Sequence, residues 1–218
     1  MAWLSSTAKP ERVRRTKTSG VTSAAVPEKR LDDALRAAEG QIRRLVGLVD
    51  DLLDISRITT RRLRLNLEAT DLGTAVRDVI ERHRSELAQA ACSLSSAIAP
   101  GVIGPWDRLR IEQVFTNLLT NAMKYAPGPI EVTVEADGPA ARLIVRDHGQ
   151  GIAQGDRERI FLPFERAVSY MQSSGFGLGL YIVRQIVDAH GGVVRLDSAP
   201  GRGSTFMVEL PRHSLASA

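Results

Sequence analysis

Two glycine-rich segments carry the clearest chemical signal in the sequence. Residues Gly175 to Leu180 read Gly-Phe-Gly-Leu-Gly-Leu, and residues Asp147 to Ile152 read Asp-His-Gly-Gln-Gly-Ile. Glycines at alternate positions let a backbone turn tightly and approach a ligand closely, and free amides at the start of a following helix suit a phosphate. A lone glycine cluster is more often an ordinary turn. The two segments indicate a phosphate site only if another element supports them.

That support comes from a polar stripe on a predicted helix around Asn117 to Tyr125. Gln113, Asn117, Asn121 and Lys124 are separated by four, four and three residues, so they share one helix face. Asparagine is a poor helix former at interior positions, which favours a use for the pair over simple solvation. A neutral amide oxygen suits Mg²⁺, which takes most of its negative charge from a triphosphate. The opposite face is apolar, with Ile111, Val114, Phe115, Leu118 and Ala122.

Taken in order, these segments resemble the ATP-binding catalytic domain of bacterial two-component sensor histidine kinases. That domain belongs to the ATPase superfamily of gyrase, Hsp90 chaperones, histidine kinases and MutL. The resemblance runs from about Leu31 to Pro211. No Gly-x-x-x-x-Gly-Lys-Ser/Thr loop is present, which argues against the P-loop class. The family boxes that the chain matches are Asn117 to Tyr125, Asp147 to Gly151, Phe161 to Arg166, Gly175 to Leu180, and Gly201 to Phe206.

The resemblance implies ATP and Mg²⁺ as cofactors and gives roles to individual residues. It makes Asn121 the metal ligand, Asn117 a contact to phosphate or metal-bound water, and Lys124 a charge that neutralises phosphate. Asn117 and Lys124 are therefore the candidate catalytic residues. The segment from Phe161 to Ser174 corresponds to a lid over the triphosphate. The other implied nucleotide contacts are Tyr125, Asp147, Gly149, Gly151, Ile152, Arg166, Gly175, Gly177, Leu178, Gly179, Leu180 and Thr205.

Asp147 and Thr205 are the residues that the resemblance places at the adenine. Asp147 matches the carboxylate that accepts a hydrogen bond from the adenine amino group, and Thr205 matches the residue that reaches the base from the last strand. An aspartate before glycine more commonly starts a turn. Gly149 and Gly151 favour the binding role, because they let the backbone lie against the base.

Length and composition predict one globular domain with an appendage. The chain has 218 residues, of which 43% are hydrophobic and 25% charged. Cys92 is the single cysteine, so no internal disulfide forms, and no apolar run approaches the roughly 20 residues of a membrane span. Met1 to Leu4 is too short for a signal-peptide core. We expect a cytoplasmic location, with membrane association only through a partner.

The basic charge predicts a solvated tail rather than a nucleic-acid surface. The net charge is +4, and much of the basic excess lies in residues 1–29 and from Arg57 to Arg64, without interleaved aromatic residues. Residues 1–29 also contain Pro10, Gly20 and Pro27 and lack apolar periodicity, as expected of a flexible basic tail.

Residues 30–60 predict a long helix with an apolar seam. Its apolar positions alternate between spacings of four and three, as in a bundle or coiled coil, although an amphipathic helix lying on its own domain would show the same pattern. The resemblance implies the second helix of a dimerisation hairpin, and hence a homo- or hetero-oligomer formed through Leu31 to Leu52. The seam positions are Leu31, Leu35, Ala38, Ile42, Leu45, Val49 and Leu52.

Residues 61–212 predict the catalytic domain, and residues 213–218 a short tail. The fold class is α+β: a two-layer α/β sandwich of the Bergerat type, a mixed sheet with helices on one face, preceded by the long bundle helix. Asp71 and Asp107 are predicted helix caps, the first of a helix that ends near Ala90. Pro100 to Pro105 is a predicted loop. The predicted strands are Arg62 to Leu67, Ser93 to Ile98, Ile130 to Glu135, Ala141 to Asp147, Val193 to Leu196 and Ser204 to Leu210, and Gly177 to His190 is a predicted helix.

The implied reaction is transfer of the γ-phosphoryl group of ATP to a histidine, with a response regulator downstream. In the family the acceptor histidine precedes an acidic residue, an aliphatic residue, Arg, Thr or Asn, and Pro. The residues after the four histidines here are Arg84, Gly149, Gly191 and Ser214, so none fits. We expect another chain, a hairpin or an intact kinase, to supply the acceptor. The alternatives are a non-catalytic ATP-binding module that docks on an intact kinase, and a serine-phosphorylating regulator.

Overall fold

The computed structural model describes residues 64–165 and 176–213, together with nine residues between Leu35 and Val49. The chain divides into two compact units, Met1–Arg43 and Arg44–Ala218. The five described residues of the first unit are helical. The four described residues of the second unit that precede residue 64 are helical as well. The described seam residues Leu35, Ile42, Leu45 and Val49 are largely exposed. The predicted tail, residues 1–29, lies outside the described residues.

A mixed five-stranded sheet forms the framework of the second unit. Its strands are β2 (Ser93–Ile98), β4 (Pro129–Asp137), β5 (Ala140–Asp147), β6 (Val193–Ser198) and β7 (Ser204–Pro211). They lie in the order β2-β4-β5-β7-β6. β2 runs parallel to β4, and the other neighbouring strands are antiparallel. The order brings the end of β5 beside the start of β7.

Helices cover one face of this sheet and bury its apolar residues. Along β4, for example, Ile130, Val132 and Val134 are almost completely buried, whereas the residues between them are partly exposed. This alternation follows from the two-residue period of a strand. The predicted α+β two-layer sandwich is confirmed. The described helices are α1 (Leu72–Arg82), α2 (Arg84–Gln89), α3 (Arg108–Tyr125) and α4 (Gly179–Ala189), with short 3₁₀ turns at Gln154–Asp156 and Arg159–Phe161.

A small separate sheet differs from the sequence prediction. β1 (Glu68–Asp71) pairs antiparallel with β3 (Ile103–Trp106). The strand predicted at Arg62 to Leu67 therefore lies further along the chain, and the loop predicted at Pro100 to Pro105 contains a strand. The leucine alternation misled because Leu67 is half exposed and residues 64–67 form no strand. Trp106 at the end of β3 is fully buried, and its Nε1 donates to the Pro211 carbonyl at 2.8 Å. These contacts hold β3 in place.

Most other predicted elements are confirmed with small shifts at their ends. Asp71 caps α1 by accepting from the Thr74 N–H at 2.6 Å, and Asp107 caps α3 by accepting from the Arg110 N–H at 3.2 Å. The helix predicted to run to Ala90 is interrupted at His83, whose ring bonds the Val79 carbonyl at 2.9 Å, and continues as α2. Among the described helices, none is long and apolar enough to cross a membrane.

His190 joins the end of α4 to the start of α3. The residue is 8% exposed, and its Nε2 accepts from the Asp107 N–H at 3.0 Å, while its Nδ1–H donates to the Ile186 carbonyl at 2.8 Å. These bonds require the neutral ring protonated on Nδ1. Burial lowers the pKa of His190, and the bond to Ile186 and the charge of Asp107 act in the opposite direction. The ring thus fixes two helix ends without carrying a charge.

Replacement of His190 tests this connection. We expect His190→Ala to lower the free energy of unfolding by about 1–3 kcal/mol, because the buried Asp107 N–H loses its acceptor. The pKa is lower in the folded state, so the wild-type contribution is complete above about pH 6.5 and declines as the pH falls from there towards the folded-state pKa. Denaturant unfolding at pH 7.5 and pH 5.5 measures both effects.

The exposed His213 provides the matched control, because His213→Ala should leave stability and its pH dependence unchanged. An unaltered pH dependence in His190→Ala would show that the bond to Asp107 does not govern it.

Candidate functional site

The face predicted on α3 is present in the structure. Asn117 and Asn121 are half buried, and Lys124 is exposed. The Lys124 Nζ lies 4.7 Å from the centre of the Tyr125 ring, at the C-terminal end of the helix. The five residues predicted for the apolar face are all buried, which leaves the polar stripe pointing away from the core: Ile111, Val114, Phe115, Leu118 and Ala122.

Asn117 connects α3 to the glycine segment at the start of α4. Its Nδ2 donates to the Gly179 carbonyl at 3.3 Å. A Cβ added to Gly179 would lie 3.6 Å from the Asn117 Cγ, so the two helices meet here. The start of α4 has no side-chain cap and no acidic residue in its first turn. Unpaired amides and the helix dipole make this end suitable for an anion.

Asp147 lies at the end of β5 with its carboxylate almost buried. Its Oδ1 accepts from the Gly149 N–H at 2.9 Å and from the Ser204 N–H at 3.2 Å. Burial raises the pKa of Asp147, and these two backbone bonds act in the opposite direction. The carboxylate is therefore held by the loop that follows it and by the neighbouring strand β7. The Asp147 carboxylate is therefore a hydrogen-bond acceptor held in place at the end of β5.

Glycines allow the loop after Asp147 to contact two other segments. A Cβ on Gly151, which has φ +70°, would lie 1.9 Å from the Ala199 carbonyl oxygen. A Cβ on Gly203, with φ +73°, would lie 2.0 Å from the Asp147 carbonyl oxygen. Neither approach is open to a residue with a side chain. The loop and the β6–β7 turn are thus in direct backbone contact.

Two further close contacts of glycines bring the matching sequence segments together. Gly149 lies against Ala126, just after α3, since an added Cβ would be 2.5 Å from the Ala126 Cβ. Gly177 lies against Glu165, and its carbonyl accepts from the Phe164 N–H at 3.0 Å. Segments far apart in sequence therefore converge at one end of the sheet. Ile152 and Leu178 are buried beside them, while Leu180 is half buried.

Three of the predicted nucleotide contacts are not found at the site among the described residues. Arg166 and Gly175 lie outside the described residues, as does most of the predicted lid. The structure does not bring Thr205 to Asp147: Thr205 pairs with Arg146 and shares the opposite face of the sheet. Ser204 pairs with Asp147 instead. A strand alternates its side chains, so the residue directly after Gly203 faces the site and the next one does not.

The start of the lid segment is fixed by an aromatic contact. Phe161 is buried, with its ring 6.4 Å from that of Phe206 in an edge-to-face arrangement, and the Arg184 guanidinium lies 4.3 Å above it. Arg184 also pairs with Glu158 at 3.2 Å. The chain that enters the lid is thus anchored to α4 and β7.

Sequence reasoning missed Ser198 and Arg157. Ser198 ends β6, and its Oγ accepts from the Ile152 N–H at 2.8 Å. The Arg157 guanidinium donates to the Ser198 carbonyl. A small polar residue at a buried position of a strand was the available signal for Ser198, because the preceding alternate residues of β6 are apolar. Arg157 carried no signal in the sequence.

Comparisons with known proteins find relatives of one ATPase family. The family model for histidine kinase-, DNA gyrase B-, and HSP90-like ATPases matches residues 106–214. The chain is 35% identical over 171 residues to the histidine protein kinase DivJ of Caulobacter vibrioides, covering 77% of this chain and 29% of DivJ. It spans between 21% and 49% of the length of three curated relatives that it matches.

Solved structures show the same likeness. The Acinetobacter baumannii histidine kinase AdeS superposes with a TM-score of 0.70 at 28% identity, covering 88% of this chain and 89% of that one. Full-length ShkA in complex with AMPPNP superposes with a TM-score of 0.72 at 29% identity, covering 87% of this chain and 40% of that one.

The close approach at Gly151 generates a testable prediction. Gly151→Ala should lower the free energy of unfolding by about 1–3 kcal/mol and weaken ATP binding, because the methyl group would collide with the Ala199 carbonyl. Denaturant unfolding and titration calorimetry measure the two effects. Gly155→Ala is the matched control in the same loop, since nothing lies within 4 Å of its added Cβ. Equal behaviour of the two variants would contradict the close approach.

Proposed function

Because the chain belongs to the family of histidine kinase-, DNA gyrase B- and HSP90-like ATPases, we propose that it is the ATP-binding catalytic core of a sensor histidine kinase. It transfers the γ-phosphoryl group of ATP to a histidine in two-component signalling. The observation that carries the proposal is the hydrogen bond from Asn117 to Gly179, which joins the polar helix face to the uncapped start of α4. The likeness to ShkA, whose structure was solved in complex with AMPPNP, supports nucleotide binding by this chain.

The adenine is proposed to lie at Asp147. Its carboxylate accepts a hydrogen bond from the adenine amino group, and Gly149 and Gly151 let the backbone lie against the base. Ser204 takes the role first expected of Thr205, because Ser204 lies beside Asp147 on the same face of the sheet. Tyr125 and Ile152 border the base and ribose. This arrangement gives the site a preference for adenine over guanine, which lacks an amino group at that position.

The triphosphate is proposed to run from Asp147 towards the start of α4. The amides of Gly177, Leu178 and Gly179 and the dipole of α4 favour its negative charge. Lys124 neutralises further charge from the end of α3. Arg166, Gly175 and Leu180 belong to the same phosphate region by their positions in the matching boxes. Such positioning and neutralisation are what phosphoryl transfer requires of a protein.

Mg²⁺ is proposed to bind at Asn121, with Asn117 contacting phosphate or a metal-bound water. The side chains present fit this role, because Asn117 and Asn121 are half buried and lie on the face of α3 opposite its apolar core residues. The amide oxygens of Asn121 and Asn117 suit a cation whose remaining ligands are phosphate oxygens and water. The metal supplies charge neutralisation for the transferred group.

The phosphoacceptor is proposed to be a histidine outside this sequence. His83 bonds the Val79 carbonyl, His148 bonds Glu131 at 2.7 Å, and His190 is buried with both nitrogens used. His213 is exposed at the end of the last strand. None has the residues that follow an acceptor in the family. A helical hairpin that bears such a histidine is the proposed partner, through the helix of Leu31 to Leu52, with a response regulator acting afterwards.

A second candidate function is a regulatory ATP-binding module without kinase activity. The exposed seam residues Leu35, Ile42, Leu45 and Val49 favour it as much as they favour a kinase, because either would use them to dock on another helix. Mixing the chain with a separate histidine-bearing hairpin and γ-labelled ATP distinguishes the two functions. Label on the hairpin supports the kinase, and ATP binding without transfer supports the module.

Replacement of Asn121 tests the proposed metal position. We expect Asn121→Ala to weaken Mg²⁺-dependent ATP binding on the order of tenfold without unfolding the domain, since the side chain faces away from the core. Calorimetry with Mg²⁺ and with EDTA measures the difference. Gln113→Ala, two turns earlier on the same face, should bind ATP like the wild type. Wild-type affinity in Asn121→Ala would make the metal position wrong.

Incubation of the chain alone tests where the acceptor lies. With Mg²⁺ and γ-labelled ATP we expect nucleotide binding but no acid-labile label on the chain, because no histidine here has the acceptor context. Acid treatment followed by gel autoradiography detects phosphohistidine. Acid-labile label at His83, His148, His190 or His213 would instead make the chain a self-sufficient kinase.

A further inference from the structure

The hydroxyl of Ser198 joins three separate segments beside the proposed adenine site. Ser198 is 4% exposed, and its Oγ lies 2.8 Å from the Ile152 nitrogen, 2.8 Å from the Gly203 carbonyl oxygen and 3.0 Å from the Ser204 Oγ. A hydroxyl has one proton and two lone pairs. The hydroxyl donates to the Gly203 carbonyl and accepts from the Ile152 N–H, and its third contact is with the Ser204 hydroxyl. Every bonding position of the hydroxyl is therefore used.

Ser198 holds the segment after Gly151 at both of its ends. The Ile152 N–H donates to the side chain, and the Arg157 guanidinium donates to the Ser198 carbonyl. The Arg157 Nε is buried and has no hydrogen-bond partner. A buried arginine destabilises the folded protein unless its other N–H groups form good hydrogen bonds. The bond to the Ser198 carbonyl is a contact that holds this guanidinium.

The same hydroxyl is connected to Asp147 through one residue. Ser204 contacts Ser198 with its Oγ and donates its backbone N–H to the Asp147 Oδ1 at 3.2 Å. Gly151, the residue before Ile152, lies in backbone contact with Ala199, the residue after Ser198. Displacement of Ser198 would therefore move both the partner of the carboxylate and the loop that lies against the base.

We propose that Ser198 is a positioning residue for adenine recognition: its hydroxyl fixes Ile152 and Ser204 so that Asp147 and the loop after it are already placed when the base arrives. This inference rests on the proposed function. Ser198 itself touches no nucleotide. Without the hydroxyl, the Ile152 N–H is left without an acceptor in a buried place, and binding must reorder the loop. The triphosphate end of the site, at α4, does not depend on these bonds.

The test compares ATP with inorganic tripolyphosphate, which lacks the base. In Ser198→Ala we expect ATP affinity to fall about tenfold, while the affinity for tripolyphosphate, measured by competition, stays within about twofold. The preference for ATP over GTP should fall as well. A general loss of structure would weaken both ligands alike, and that result, or unchanged ATP affinity, overturns the proposal. Ser95→Ala, at an exposed serine of the edge strand β2, is the matched control and should behave like the wild type.

The wild-type protein separates the two levels of inference. A wild type that binds ATP with a preference over GTP supports the proposed function whatever Ser198→Ala does, and a wild type that fails to bind ATP overturns both. Should Ser198→Ala not fold, hydrogen exchange of the wild type without nucleotide decides. We expect the Ile152 amide to exchange at least about a hundredfold more slowly than an unbonded amide. Exchange at the unbonded rate would show that the hydroxyl does not hold the loop.

Discussion

The burial of the Asp147 carboxylate is the constraint on which the site depends. A buried charge is costly unless hydrogen bonds compensate it, and here the compensation comes from the backbone of two different segments. Those segments reach the carboxylate only because Gly151 and Gly203 permit backbone contact. The Ser198 hydroxyl bonds the same two segments, at Ile152 and at Gly203. Sheet order, glycine placement and the serine bonds thus all serve one acceptor at the end of β5.

The second part of the site is placed by helix packing. The apolar face of α3 is buried, which leaves Asn117 and Asn121 on the opposite face, where Asn117 bonds Gly179 at the start of α4. His190 fixes the other ends of the same two helices, through the Asp107 N–H. Its neutral ring suits this task, because a protonated ring would direct an N–H at another N–H. The polar face and the uncapped helix start are therefore held together by contacts at both ends of the helix pair.

The two parts divide the work expected of a nucleotide site. The Asp147 side is rich in fixed backbone contacts and suits a rigid base, whereas the α4 side offers amides, a helix dipole and Lys124 for phosphate charge. Phe161 anchors the chain that enters the lid segment, beneath Arg184. The hydrogen bonds of Asp147 and the packing of Phe161 against Phe206 thus hold both ends of the segment from Asp147 to Phe161.

The sequence by itself determined the fold class, the caps at Asp71 and Asp107, the strands β4 and β5, and the polar face of α3, because each follows from local periodicity or local capping. It misplaced β1 and overlooked β3, since strand pairing there depends on the distant burial of Trp106. It matched Thr205 to the adenine contact, whereas Ser204 is the strand partner of Asp147, because only the register with β5 decides which residue of β7 lies beside that carboxylate. The roles of Ser198 and Arg157 became visible only in the tertiary structure, because Ser198 bonds Ile152 and Arg157, which lie 46 and 41 residues before it in the chain.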